Sequence, residues 1–190
     1  MILGAHAPAD PNFAPRHEVT KKMEAISGGW ARKTAPAFEV TTAGSAVSLA
    51  KLLEQGPVFL YFIKDGCPCS VDAQPLFNHL RDKFKDKVSF VGVMDVDPAK
   101  AAKWAKINAM TDPMLADPKL ETIHAYKATN SAFSALVLQD GTILKMWPGY
   151  SRDYLLDMNT QLSRALGEQA TSFDPLYAPL AKTAGCYFDR

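Results

Sequence analysis

Three cysteines are the residues of this 190-residue chain whose type and spacing indicate redox chemistry. Cys67 and Cys69 are separated by Pro68 alone, and Cys186 lies close to the carboxyl terminus. A cysteine reacts as its thiolate, so its reactivity depends on lowering the thiol pKa below the free value of about 8.5. An odd number of cysteines argues against a disulfide framework that staples a small fold. Cys67, Cys69 and Cys186 are therefore candidate catalytic thiols.

The segment from Cys67 to Ser70 is predicted to begin a helix, which would place a thiol where anions are stabilised. Pro68 suits the first helical position, because its backbone dihedral is already correct and no N–H is needed there. The unpaired N–H groups and the positive end of the helix dipole would favour a thiolate. We expect Cys67 at the helix cap, with Cys69 one step inside, and Cys67 as the more exposed of the two thiols.

Apolar β-rich runs alternate with helical patterns along the middle of the chain. Strands are predicted at 37–40, 57–63, 88–96, 132–138 and 142–147, and helices at 48–54, 68–84, 98–109 and 151–166. Strands separated by helices pair in parallel through crossovers, and Asp140-Gly141 predicts a final hairpin that adds an antiparallel edge strand. The pattern predicts an α/β fold with a mixed central sheet flanked by helices, and places Cys67 beyond the carboxyl end of a central strand.

Segments of different character precede and follow this core. Residues 1–34 form an extension with a proline-rich, extended opening and a short helix predicted at 17–27. Residues 35–166 form the main domain, and residues 167–190 form a tail too apolar to be solvated, which we expect to pack on the domain. The predicted short helix has an apolar stripe, which must be covered by its own domain or by a second subunit as a homodimer.

Composition and charge exclude several classes of function. The formal net charge is +1 with both signs interspersed, so no electrostatic footprint for nucleic acid is present. No apolar run approaches the length of a membrane span, and the first residues lack the basic flank and apolar stretch of a signal peptide. We expect a cytoplasmic protein, or a periplasmic one if a signal peptide has been removed.

Short motifs in a fixed order resemble a known family. They are Ala-Pro-Ala-Phe-Glu-Val at 35–40, Val-Ser-Leu-Ala at 47–50, Asp-Pro-Met-Leu-Ala-Asp-Pro at 112–118, Asp-Gly-Thr-Ile at 140–143 and Pro-Gly-Tyr at 148–150. Together with the strand that precedes Cys67, they resemble the redoxin branch of the thioredoxin superfamily. That branch includes peroxiredoxins (alkyl hydroperoxide reductase/thiol-specific antioxidant proteins) and thioredoxin-like thiol-disulfide oxidoreductases.

The resemblance implies a thioredoxin-like fold and a cysteine-dependent oxidoreductase with antioxidant or thiol-disulfide exchange activity. In the oxidoreductases a helix proline follows the first cysteine by eight residues, and Pro75 follows Cys67 by eight. The resemblance therefore implies Cys67 as nucleophile, with Ser70 in place of the second cysteine. Cys186 or Cys69 would be the resolving thiol, and Pro68, Ser70 and Trp147 would contact substrate. No cofactor is implied, and the partner would be a small-molecule or protein thiol or disulfide reductant.

The sequence also departs from the family pattern. Ala132 stands at the position of the cis-proline of thioredoxins, and Lys64 and Leu60 replace the Thr or Ser and the Pro that precede the peroxiredoxin cysteine. Those polar groups orient the peroxide O–O bond, so their replacement argues against efficient peroxidase activity. Two alternatives remain: a thioredoxin-fold binding module without catalysis, and a carrier that holds a soft metal ion with its Cys-x-Cys thiolates.

Overall fold

The structure, a computed structural model, describes residues 15–42 and 45–188. The strands are β1 (Glu39–Thr42), β2 (Ser45–Ser48), β3 (Val58–Ile63), β4 (Ser89–Met94), β5 (Met114–Ala116), β6 (Ser134–Val137) and β7 (Ile143–Trp147). The helices are α1 (Lys21–Gly28), α2 (Leu49–Leu53), α3 (Pro68–Phe84), α4 (Pro98–Ile107), α5 (Glu121–Ala125) and α6 (Arg152–Ala165). Most of the proline-rich opening predicted to be extended lies outside the described residues.

The central sheet has five strands in the order β5-β4-β3-β6-β7, so the expected mixed sheet is confirmed. β3 pairs in parallel with β4, and β4 with β5. The antiparallel strand differs from the expectation: β6 runs antiparallel to β3, and β7 at the edge is antiparallel to β6. The chain between β5 and β6 returns along the sheet, so β6 runs opposite to β3, β4 and β5. The tight hairpin then turns the chain once more, so β7 runs opposite to β6. The strand expected near residues 37–40 is β1, which pairs with β2 in a separate two-stranded sheet.

Strand β3 is buried on both faces and divides the core into two clusters. All six of its residues are buried, as its continuous apolar run predicts. Alternate side chains point to opposite faces of a sheet. Phe59, Tyr61 and Ile63 accordingly pack with α3 and α6, whereas Val58, Leu60 and Phe62 pack with residues of α1, α2 and α5. The strand that leads to Cys67 is therefore fixed from both sides.

The amino-terminal helix begins later than its apolar pattern predicts. The Thr20 side chain accepts a hydrogen bond from the backbone N–H of Met23, and this cap starts α1 at Lys21 rather than at residue 17. Met23 is buried among residues of the second core cluster, and α1 packs on β7 of its own domain. Of the two alternatives for covering the apolar stripe, the structure favours the chain's own domain.

The carboxyl-terminal tail lies along the outside of α3 and α6. The Lys83 ammonium donates to the backbone carbonyls of Thr171 and Ser172 at 3.2 and 3.0 Å. Further along, Ala178 is buried and the backbone N–H of Arg152 donates to the carbonyl of Pro179 at 2.8 Å. This path brings the end of the tail, with Cys186, to the carboxyl end of β3.

Within the part of the chain that is described, no helix is long and apolar enough to span a membrane.

Candidate active site

Cys67 lies at the junction between β3 and α3, where the sequence places it. Its backbone N–H donates to the carbonyl of Lys64 at 3.3 Å, which closes the turn after the strand. Cys67 is the N-cap of α3 and Pro68 occupies the first turn, so the predicted helix start is confirmed. The backbone N–H of Lys64 donates to Ser70 Oγ at 3.3 Å and ties the end of β3 to the helix.

Contrary to expectation, Cys67 is not exposed at the helix cap. Its exposed fraction is 2%, against 1% for Cys69, so accessibility does not distinguish the two thiols. The cover comes from residues distant in sequence: Ser131, 64 positions along the chain, and Cys186, 119 positions along it. Local sequence around the helix cap carries no signal for these contacts.

The end of the tail pairs with the segment before β6 through its backbone. The N–H of Gly185 donates to the carbonyl of Ser131, and the N–H of Ser131 donates to the carbonyl of Cys186, both at 3.0 Å. Asn130 and Tyr187 form an antiparallel bridge. Cys186 is thereby held over Cys67 by main-chain hydrogen bonds that do not depend on its own side chain.

The Cys67 sulfur is surrounded by hydrogen-bond donors. The Ser131 hydroxyl lies 3.2 Å from Cys67 Sγ, and the backbone N–H of Cys186 donates to the same sulfur at 3.2 Å. Interaction with the thiols of Cys69 and Cys186 further favours the charged form of this sulfur by lowering its pKa. All three cysteines are free thiols in this structure. Donors directed at one sulfur fit a thiolate, which accepts hydrogen bonds and donates none.

These donors shift the thiol pKa values in opposite directions. Hydrogen bonding from the Cys69 thiol lowers the pKa of Cys67 the most, with further lowering by Cys186 and Ser131, and burial opposes them; the pKa falls to about 3. The same hydrogen bond holds the pKa of Cys69 far above its ordinary value. Burial, followed by donation to Cys67, raises the pKa of Cys186 to about 11. At neutral pH the charge therefore resides on Cys67 and the protons on its neighbours.

Charged side chains surround the other side of the junction. Lys64 Nζ lies 3.7 Å from Asp95 Oδ2, and the backbone N–H of Asp65 donates to Asp95 Oδ1 at 2.7 Å. Burial raises the pKa of Asp95 above its ordinary value. The positive charge of Lys64 also acts on Cys186, where it lowers the thiol pKa against the larger effect of burial.

The three residues expected to contact substrate have different environments. Pro68 is exposed beside Cys67, and Ser70 is buried with its hydroxyl on the Lys64 backbone. Trp147 has an exposed fraction of 1%, and its indole N–H donates to Asp157 at 2.7 Å. A side chain so deeply enclosed has no surface to offer a substrate, so the structure argues against substrate contact by Trp147 and assigns it to the core.

The segment before β6 contributes a group that sequence reasoning missed. The spacing from Asp140-Gly141 places Ala132 opposite the active site, and Ala132 is indeed buried beside it in the left-handed region at φ 62°. The preceding Ser131 provides the hydroxyl on Cys67, and no local pattern signals this role. The metal-carrier alternative gains no support, because residues 15–42 and 45–188 contain no group of three metal-ligating side chains placed to hold an ion.

Comparisons with known proteins agree with this geometry. A model of the AhpC/TSA family matches residues 31–147, whereas no curated protein matches the sequence. A structure described as a thiol:disulfide interchange protein DsbE, from Chlorobium tepidum, is 23% identical with a TM-score of 0.65, covering 72% of this chain and 98% of that one. The peroxidoxin BcpB of Mycobacterium tuberculosis is 22% identical with a TM-score of 0.63, covering 72% and 97%.

A secreted disulfide oxidoreductase of Mycobacterium tuberculosis is more distant. It is 20% identical with a TM-score of 0.55, covering 68% of this chain and 95% of that one. At such identities the likeness establishes the fold, and the predicted thioredoxin-like fold is confirmed. The region matched by the family model contains Cys67, Cys69 and Ser131 but ends before the tail. The placement of Cys186 is therefore a feature that the family match does not describe.

Proposed function

The chain belongs to the AhpC/TSA family, whose model matches more than half of it, and from this premise we propose that it is a thiol-disulfide oxidoreductase. In the proposal Cys67 is the nucleophile and Cys186 the resolving thiol. The observation that carries it is the Cys67 sulfur, which accepts hydrogen bonds from the Ser131 hydroxyl and from the backbone N–H of Cys186, both at 3.2 Å. Such a sulfur is deprotonated at neutral pH, as a nucleophile must be, and is stable as a leaving group.

The proposed exchange proceeds in two balanced steps. The Cys67 thiolate attacks one sulfur of a substrate disulfide, forming a mixed disulfide and releasing the other substrate sulfur as a thiolate, which takes up a proton. The Cys186 thiol then loses its proton and attacks Cys67 Sγ, which releases the second substrate thiolate and leaves a Cys67–Cys186 disulfide. Two electrons pass from the protein to the substrate. The reverse sequence oxidises a substrate dithiol with the same atoms.

The electrostatics favour Cys186 over Cys69 as the resolving thiol. In reduced Cys67, the hydrogen bond to its sulfur and the negative charge of that sulfur both raise the pKa of Cys69 and of Cys186. Oxidation of Cys67 removes both effects. Cys186 then retains the favourable charge of Lys64, whereas Cys69 retains the unfavourable charge of Asp72. A Cys67–Cys69 disulfide would in addition close a tight, strained ring. Cys69 is better suited to remain protonated as a hydrogen-bond donor to the nucleophile than to attack it.

The surroundings of Cys67 favour a disulfide over a peroxide as substrate. Leu60, at the family's proline position, is fully buried within β3. Lys64, at the Thr or Ser position, has no hydroxyl, and its backbone N–H is directed to Ser70. The groups expected to orient a peroxide O–O bond are thus replaced, whereas thiol exchange needs a thiolate and a second thiol, and Cys67 and Cys186 supply these.

Stabilisation of the thiolate also sets the expected direction of exchange. Hydrogen bonds to Cys67 are made to the reduced form and are weakened when the sulfur becomes neutral in a disulfide. A disulfide whose reduced form is stabilised is the more oxidising, as low-pKa cysteines of strongly oxidising proteins illustrate. We therefore expect the Cys67–Cys186 disulfide to pass readily to substrate dithiols.

A timed reaction with oxidised glutathione tests the proposal. Acid quenching and mass spectrometry are expected to show glutathione first on Cys67, followed by an intramolecular Cys67–Cys186 disulfide and release of the second glutathione. Cys186→Ser should accumulate the Cys67 mixed disulfide, and Cys69→Ser should still form the Cys67–Cys186 bond. First modification at Cys69 or Cys186, or no reaction at Cys67, would overturn the assignment of the nucleophile.

A parallel reaction with hydrogen peroxide at matched concentration distinguishes the substrate class. The expected result is slower oxidation of Cys67 by peroxide than by the disulfide. Faster peroxide oxidation, with a sulfenic acid on Cys67 that Cys186 resolves with loss of water, would instead favour an antioxidant activity on the same two cysteines. Cys67→Ser is the control that should abolish both reactions.

A further inference from the structure

The closest backbone approach at the site involves a glycine of the tail. We propose that Gly185 is a positioning residue for the nucleophile: its lack of a Cβ lets the tail lie directly on Ser131, and this brings the backbone N–H of Cys186 onto the Cys67 sulfur. The proposal rests on the proposed function in taking Cys67 as the reacting thiol. It adds that the tail is a working part of the site and not only the carrier of Cys186.

The geometry leaves no room for a side chain at this position. A Cβ on Gly185 would overlap Ser131 Oγ and come within 2.7 Å of the Ser131 carbonyl oxygen. The conflict with the carbonyl cannot be relieved by a side-chain rotation, because the oxygen belongs to the backbone. Any side chain at residue 185 must therefore push the tail away from Ser131.

Neighbouring backbone hydrogen bonds fix the register of the tail on both sides of Gly185. Thr183 and Tyr150 exchange two hydrogen bonds, at 2.8 and 2.9 Å, and the N–H of Ala184 donates to the carbonyl of His17 at 2.8 Å. Beyond Cys186, the N–H of Phe188 donates to the carbonyl of Thr129 at 3.1 Å. A tail anchored before and after residue 186 holds the Cys186 N–H at a fixed distance from Cys67.

The same contact has two consequences for the nucleophile. The backbone N–H of Cys186 in the seated tail donates to the Cys67 sulfur at 3.2 Å, and the tail also covers this sulfur, whose exposed fraction is 2%. A substrate therefore reaches Cys67 when the tail moves, and movement of the tail removes the backbone N–H of Cys186 from the thiolate. When the tail is seated, the pKa of Cys67 is lower and its sulfur is covered. When the tail moves away, the sulfur is exposed and its pKa rises.

Gly185→Ala tests the role of the missing Cβ in the full-length, reduced protein. The measurement is the rate at which iodoacetamide alkylates Cys67 as a function of pH, with the site identified by mass spectrometry. We expect the midpoint of the profile to move upward by about one pH unit or more, as for loss of a hydrogen bond to a charged group. We also expect a higher limiting rate at alkaline pH, because the sulfur is uncovered.

Gly167→Ala is the matched control. Gly167 has a φ of 69° and open space around its Cβ position, so alanine strains the backbone after α6 without touching the tail seat. This variant should lower stability but leave both the midpoint and the limiting rate unchanged. An equal shift in Gly167→Ala, or a Gly185→Ala profile that superimposes on the wild type, would overturn the proposal.

A second pair of variants isolates the effect of the Cys186 backbone N–H on Cys67. It tests the proposal even if Gly185→Ala fails to fold. Cys186→Ser keeps the backbone N–H and removes the thiol, whereas Cys186→Pro removes both. The proposal predicts a midpoint higher in Cys186→Pro than in Cys186→Ser by about one pH unit. Equal midpoints would refute the role of the N–H. The profile is recorded without turnover, so it can succeed when disulfide exchange fails, and the two proposals are judged separately.

Discussion

Replacing Cys69 by alanine removes the donor that contributes most to the low pKa of Cys67. Cys69 is buried, with an exposed fraction of 1%, and its own pKa is raised far above the ordinary value, so it remains a protonated donor at neutral pH. Because the site is enclosed, water is not available to replace the lost hydrogen bond. The thiolate should therefore become less stable relative to the thiol.

The size of the effect follows from the strength of one hydrogen bond to a charged group. Such bonds contribute about 1.5–3 kcal/mol, and a thiol is a weak donor, which favours the lower end. One pKa unit corresponds to about 1.4 kcal/mol. We therefore expect the pKa of Cys67 to rise by about one unit in Cys69→Ala. The value should remain below that of a free thiol, because Ser131 and Cys186 still donate.

The assay is the pH dependence of the thiolate ultraviolet absorbance of the reduced protein, measured in a Cys186→Ser background so that one fewer thiol titrates. Cys69→Ser is the matched control: it removes the sulfur and retains a hydroxyl donor, and its Cys67 pKa should stay closer to that of the parent. An unchanged pKa in Cys69→Ala, or equal shifts in the alanine and serine variants, would refute the reasoning that Cys69 donates to Cys67.

The remaining predictions concern stability. Because folding lowers the pKa of Cys67, its thiolate contributes stability that is complete above the unfolded pKa and is lost as pH falls towards about 3. The difference in unfolding free energy between the reduced protein and Cys67→Ala should therefore grow with pH across this window, by up to about 1.4 kcal/mol per unit in urea titrations, and a flat difference would contradict it. Phe59→Ala removes a fully buried ring that packs 5.1 Å from Phe90 and should cost about 3–5 kcal/mol; a loss below about 1 kcal/mol would mean that the core is wrongly described. Trp147→Phe keeps the aromatic core but loses the hydrogen bond to Asp157, and thermal unfolding should show a loss of about 1 kcal/mol, whereas unchanged stability would contradict the structural role.

Elements with strong local signals could be predicted from the sequence. Helix α3 begins at Pro68 and carries a continuous apolar face, so the predicted helix 68–84 coincides with the observed one. Strand β3 is a continuous β-rich run that needs no partner to be recognised, and the Asp140-Gly141 hairpin between β6 and β7 is equally local. Together with the alternation of strand and helix patterns along the rest of the chain, these features predicted a mixed sheet with Cys67 at the junction after β3.

Some short elements and some strand directions could not be predicted from the sequence. The three-residue strand β5 and the five-residue helix α5 are too short to generate a periodic pattern. The antiparallel direction of β6 depends on how the chain returns from α5 across the sheet, which no local spacing encodes. The pairing of β1 with β2 apart from the main sheet is likewise a product of packing.

Some features of the cysteine site follow from local sequence, and others depend on the packing of distant segments. By itself the sequence determined that Cys67 begins a helix next to a buried strand, because capping and apolar periodicity act over a few neighbouring residues. The tertiary structure alone decided that Cys67 is covered, and that Ser131 and Cys186 donate to its sulfur across 64 and 119 positions of sequence. Those contacts depend on the path of the tail over α3 and α6 and on the absence of a side chain at Gly185, and both become visible when distant segments pack together.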